Sequence, residues 1–214
     1  MAEHNTLPYR RTNDPEGLKQ RLVDAAYAQF SIRGYHSTGM HNLKSDAGVT
    51  GGALSHHFPT KKALGLAVIR NRVADAVEEA WIRPIQLAAT TSEGIHAAFE
   101  AIVAELEGKG AVSGCPLNNL ALELARQDGD FQAEIDAIFV RWRSAIADKL
   151  RADLQSGAVH DLDPEAMATL VVATYSGAMA MAKACQGVEP LKICAKQLIT
   201  MLQKQARPPL VTDA

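Results

Sequence analysis

The 214-residue chain has little of several things. Its three cysteines, Cys115, Cys185 and Cys194, are odd in number, widely spaced and form no CxxC pair. That excludes a disulfide scaffold and a cysteine metal centre. Aromatic residues make up only 5% of the chain, which argues mildly against a broad aromatic-lined pocket. No apolar run approaches the roughly 20 residues that cross a bilayer. The opening MAEHNTLPYRRTNDPE has no apolar segment of the secretory kind. A soluble cytoplasmic protein with no membrane partner is the expectation. There is also no nucleophile-base-acid grouping, no HExxH and no glycine-rich strand-to-helix turn, so the sequence calls for neither enzyme chemistry nor a cofactor.

What is there begins with charge. Residues 1 to 72 hold 10 Lys and Arg against 5 Asp and Glu, whereas residues 73 to 214 hold 12 against 19. A net charge of −2 thus hides a basic first third, as a polyanion-binding segment requires. With 47% hydrophobic residues the chain also has enough apolar surface for a sizeable core.

The periodicity is helical throughout and no strand alternation competes with it, so an all-α fold of about nine helices is expected. Asp14 and Pro15 open the first helix, whose Leu18, Leu22, Ala25, Ala26 and Phe30 form one stripe ending near Gly34. Thr38 is placed to cap a short second helix stopped by Gly48, Thr50 a third, and Thr60 a fourth that runs to Pro84. Further helices follow, one opened by Asp163 and Pro164, and the ends, 1 to 13 and 206 to 214, read as frayed.

Two short helices joined by AGVT have the dimensions of a helix-turn-helix, whose second helix enters a major groove. Gly51 and Gly52 leave its first turn bare, so backbone N–H groups approach a phosphate. Ser55, His56 and His57 present polar edges, and Lys61 and Lys62 follow at positions suited to backbone phosphates. His56 and His57 are adjacent and diverge by about 100° on a helix, so they do not chelate one metal as an i, i+4 pair would.

The stretch GYHSTGMHNLKSDAGVTGGALSHHFPTKKALGLAV, residues 34 to 68, resembles the DNA-binding domain of the tetracycline-repressor (TetR/AcrR) family. The resemblance implies a head at 15 to 60 and a ligand-binding and dimerisation domain at 61 to 205. It also implies DNA contacts from Tyr35, Thr38, Thr50, Gly51, Gly52, Ser55, His56, His57 and Lys61. Where the family usually has a tyrosine before His-His the chain has Ser55, and where it often has a lysine after the turn threonine it has Gly51. Arg10 and Arg11 either add backbone contacts through an arm or belong to a solubilising tail.

The resemblance further implies a homodimer through the last two long helices, about 163 to 203, on a palindromic double-stranded operator, with a small-molecule effector that releases a repressor. Trp81, Trp142, Tyr175, Met179 and Met181 are large enough to line its pocket, but aromatics and methionines at helical spacing are more often plain core. Asn118 and Asn119 either bind the ligand or cap and face solvent. Cys115, with Pro116 at the first helical position, sits as an N-cap where a thiolate is stabilised. Cys115 therefore reads either as a small buried residue packing at the helix start or, in the alternative, as a redox or electrophile trigger.

Overall fold

The computed structural model describes residues 15–205. Among them there is no strand, and helices join through short turns. Asp14, Arg10, Arg11 and both expected frayed ends lie outside the described residues.

Three helices make a small head: α1 (Pro15–Arg33), α2 (Met40–Asp46) and α3 (Gly51–His57). The α1 stripe buries Leu22, Val23, Ala26 and Phe30 and leaves Leu18 and Ala25 half-buried. α2 ends in a Schellman motif, with Val49 N–H donating to Lys44 O and Gly48 N–H to Ser45 O, and Gly48 supplies the positive φ of 63°. Thr50 then caps α3 by accepting from Ala53 N at 3.3 Å. Thr38, expected to cap α2, does not. Gly39 is the N-cap without a side-chain bond, and the 1% exposed Thr38 donates its hydroxyl to Gly34 O at 2.8 Å. A hydroxyl that already closes the preceding turn is not free to serve the next helix.

Thr60 caps a continuous helical rod, accepting from Ala63 N at 3.0 Å. The rod comprises α4 (Lys61–Val68), a π-helical turn (Ile69–Val73), α5 (Ala74–Val77), a second π turn (Glu78–Ile82) and α6 (Arg83–Leu87). It does not stop at Pro84. The π turn just ahead changes the bonding register, so Pro84 sits in the first turn of α6, where its missing N–H is not needed. Counting the rod once, the described residues form nine helices.

The remainder is α7 (Thr91–Lys109), α8 (Pro116–Leu124), α9 (Gly129–Ser156), α10 (Pro164–Cys185) and α11 (Glu189–Gln205). The 28-residue α9 is the spine, about 42 Å long, touching the rod, α7, α8 and α10. Asp163 caps α10 through the N–H groups of Glu165 and Ala166 at 2.9 and 3.1 Å. One core runs from Leu22 in the head to Leu202 in α11, each fully buried leucine adding about 2 kcal/mol. At the junction, Gly65 of α4 leaves room that a Cβ would fill. It would lie 2.8 Å from the Tyr35 ring and 3.1 Å from Phe131 of α9. Head and body are thereby locked through aromatic contact.

Candidate nucleic-acid interface and effector site

Leu54 and Phe58 root α3 in the head core at 5% and 4% exposure. Rooting them turns Gly51, Gly52, Ser55 and His56 to solvent, leaves His57 half-buried, and keeps the two imidazoles edge to face at 5.3 Å. This helix presents small, polar and imidazole groups on its open side. It carries no lysine or arginine of its own. A Cβ on Gly51 would lie 3.8 Å from Lys44 Cδ, an ordinary contact distance, so the Lys44 chain runs beside the first turn of α3.

Other residues expected at this surface lie elsewhere. Tyr35 is 8% exposed and wedged between Phe30 and Phe131, at 5.2 and 5.3 Å between ring centroids. Thr38 is buried, with its hydroxyl donating to Gly34 O. The ammonium of Lys61 lies 4.5 Å over the Tyr35 ring and donates to His36 O at 3.2 Å. Partial burial lowers its pKa and Glu123 opposes that fall. Lys62 is tied to Asp128 and Asp130 at 2.6 and 2.7 Å, which raises its pKa. It holds the rod to the start of α9.

In the larger part of the chain the few aromatics are concentrated. Trp81, carried by the second π turn, lies 5.0 Å from Trp142, 4.8 Å from Tyr175 and 5.3 Å from Phe99, centroid to centroid. Trp142 Nε1 is buried without an acceptor, and Trp81 Nε1 lies by the Tyr175 hydroxyl without closing a hydrogen bond. Met179 is buried in the same core. Phe99 also floors a groove of about 760 Å³ between α7 and α11, with Val103, Ala195 and Ile199 beside it and His96 and Lys196 at the rim. Its volume suits a small molecule.

The remaining residues named from the sequence are placed as follows. Cys115 is the N-cap of α8 as expected, but it makes no capping bond and is buried against Tyr175. Burial pushes the thiol pKa up, outweighing the amides of Asn118 and Leu117 that favour the thiolate. A buried thiol held protonated is not an activated trigger. Asn118 accepts from Ser176 Oγ at 3.2 Å. Asn119 bridges Ser113 O and Lys183 Nζ at 3.1 and 3.2 Å, so both tie α8 to its surroundings. Met181 is 53% exposed and lines no core. Sequence reasoning missed Phe99, Lys44 and Glu123, whose partners lie far along the chain or on another helix.

No cluster of three or more His, Cys, Asp or Glu able to hold a metal occurs among the described residues, and no described helix is long and apolar enough to span a membrane.

Comparison with known proteins agrees with this geometry. Residues 22–68 match the family described as bacterial regulatory proteins, tetR family. Residues 91–197 match the C-terminal domain of LmrA/YxaF-like transcriptional regulators. The transcriptional repressor DhaR of Mycobacterium sp. is 25% identical over 182 residues, covering 81% of this chain and 86% of its own. The transcriptional regulator LmrA of Bacillus subtilis is 23% identical over 174 residues, covering 81% and 90%. Among solved structures, a TetR regulator from Chloroflexus aurantiacus superposes with a TM-score of 0.81 at 25% identity, covering 90% of this chain and 98% of that one. Reduced NemR of E. coli superposes at 0.80 with 20% identity, covering 91% and 100%. With the helix-turn-helix and the all-α body both matched, the chain belongs to the TetR family of DNA-binding transcriptional regulators and is not an enzyme.

Proposed function

We propose that the protein is a cytoplasmic, homodimeric repressor that holds a palindromic operator and lets go when a small molecule binds its larger domain. The observation that carries this is α3, a capped helix rooted by Leu54 and Phe58 with Gly51, Gly52, Ser55 and His56 open to solvent. Residues 15 to 60 form the reading head, and 61 to 205 sense and dimerise. Thr50, Gly51, Gly52, Ser55, His56 and His57 face the major groove, Lys44 supplies the phosphate contact absent from Gly51, and Tyr35 and Lys61 hold the turn beside it. Repression is favoured over activation because DhaR, similar along most of its length, is a repressor.

The effector enters by the groove between α7 and α11 and reaches the Trp81, Trp142 and Tyr175 cluster by displacing Phe99, which borders both. The unpartnered Trp142 N–H suits an acceptor oxygen on that ligand. A few kcal/mol of differential affinity between two head separations is sufficient for release.

Selection of bound duplexes from a random library by the purified protein, repeated with His56 and His57 changed to Ala, tests the assignment. A palindrome enriched by the parent and lost by the variant is the expected result. Failure of well-folded parent to enrich any sequence removes the reading of α3 as the recognition helix.

A further inference from the structure

The turn between α1 and α2 is held from the other side of the molecule. Glu123, near the end of α8, points its carboxylate at the head. Its Oε2 accepts from Tyr35 N at 2.8 Å and its Oε1 from His36 N at 2.6 Å, across 88 and 87 residues of sequence. On the other edge of the same peptide segment, Lys61 donates to His36 O. The site admits only glycine at position 34, because φ there is +83° and a Cβ would lie 3.0 Å from Glu123 Oε2. Among the described residues no other side chain of the effector domain accepts from two successive head amides. α8 begins at the other end with Cys115, whose thiol adjoins Tyr175 of the aromatic cluster. It is therefore one rigid nine-residue rod, about 14 Å long, with an end at each site.

We propose that Glu123 is the positioning residue that fixes the DNA-reading head on the effector domain. This rests on the dimeric, effector-released reading above. A pair of recognition helices must match half-sites about one helical turn apart. A head that swings lowers the fraction of protein competent to place both helices together, and apparent affinity falls in proportion. Contacts within a single half-site are unaffected. Two carboxylate-to-amide bonds, each charge-assisted, restrain that swing.

The test uses Glu123→Gln, which keeps the shape and one acceptor, and Glu123→Ala, with two readouts on the full chain. The first is amide exchange at Tyr35 and His36 by NMR. It is expected to be about tenfold faster or more in both variants, while the Trp142 amide in α9 stays at its parent rate. The second is affinity for the selected palindrome and for an isolated half-site. The palindrome is expected to bind about tenfold more weakly and the half-site within about twofold of the parent. Unchanged exchange overturns the proposal. Equal loss on palindrome and half-site also overturns it, because that pattern marks damage to the head itself. If the parent selects only single half-sites, the dimeric reading fails instead, and exchange at Tyr35 and His36 still decides the role of Glu123.

Discussion

A cysteine at a helix N-cap gains from nearby amides and loses by burial, and at Cys115 burial is the larger effect. Tyr175 beside it is likewise pushed well above the ordinary phenol value, chiefly by burial, and Tyr27 and Tyr35 shift the same way. Between the ordinary and the raised value, the unfolded chain has lost the proton and the folded chain still holds it. The folded state then binds more protons, so stability falls as pH rises; below the ordinary thiol value of 9.0 these groups contribute no slope. Urea midpoints are expected to decline from about pH 9 upward, and Tyr175→Phe to make the decline shallower above about pH 10. Thiol alkylation of the native protein should modify exposed Cys185 first and Cys115 only at the rate of local opening. Modification of Cys115 as fast as Cys185 would contradict its burial. The sequence placed Cys115 at the N-cap correctly, yet its protonation follows from burial in the folded core, which no local pattern records.

The helical elements were legible wherever a local rule sets them. Thr50, Thr60 and Asp163 cap as read, and Gly48 turns the chain as read. Thr38 was misread because its hydroxyl prefers the carbonyl four residues back, and the two π turns, which both lie where the rod meets α9, were not anticipated. The exposed face of α3 was legible from spacing alone. The approach of Lys44 to it was not, since Lys44 belongs to α2 and comes beside Gly51 only in the folded head. That approach gives a reciprocal prediction. Lys44→Ala should reduce the slope of log affinity against log salt by about 0.9 for each head bound, hence about 1.8 for the dimer on its palindrome, the loss of one phosphate contact per protomer. Gly51→Lys in the same chain should restore it, because residue 51 has an ordinary negative φ and only Lys44 Cδ nearby. A slope unmoved by Lys44→Ala would place the Lys44 ammonium away from DNA.

At the scale of the whole molecule, the core accounts for one side of α10 and leaves the other unexplained. Its inner face buries Ala168, Val171, Val172, Tyr175, Ala178, Met179 and Ala182. Its outer face exposes Leu170 and Met181 together with Ala173, Gly177, Ala180 and Ala184. Ile193 and Met201 of the neighbouring α11 add exposures of 60% and 43%. A glycine inside a helix costs about 1 kcal/mol relative to alanine, and among the described residues of the protomer nothing lies within 4 Å of a Cβ added at Gly177. The protomer therefore gains nothing from that glycine, whereas a second copy of α10 packed closely across it would. Gly177→Arg is expected to leave protomer folding intact and to convert the protein to a monomer by sedimentation at micromolar concentration. Because two linked heads bind a palindrome with far higher avidity than one, the same change should weaken operator binding by about a hundredfold or more while half-site binding holds. A Gly177→Arg protein that still sediments as a dimer would move the interface off this face, and with it the spacing the two recognition helices must span.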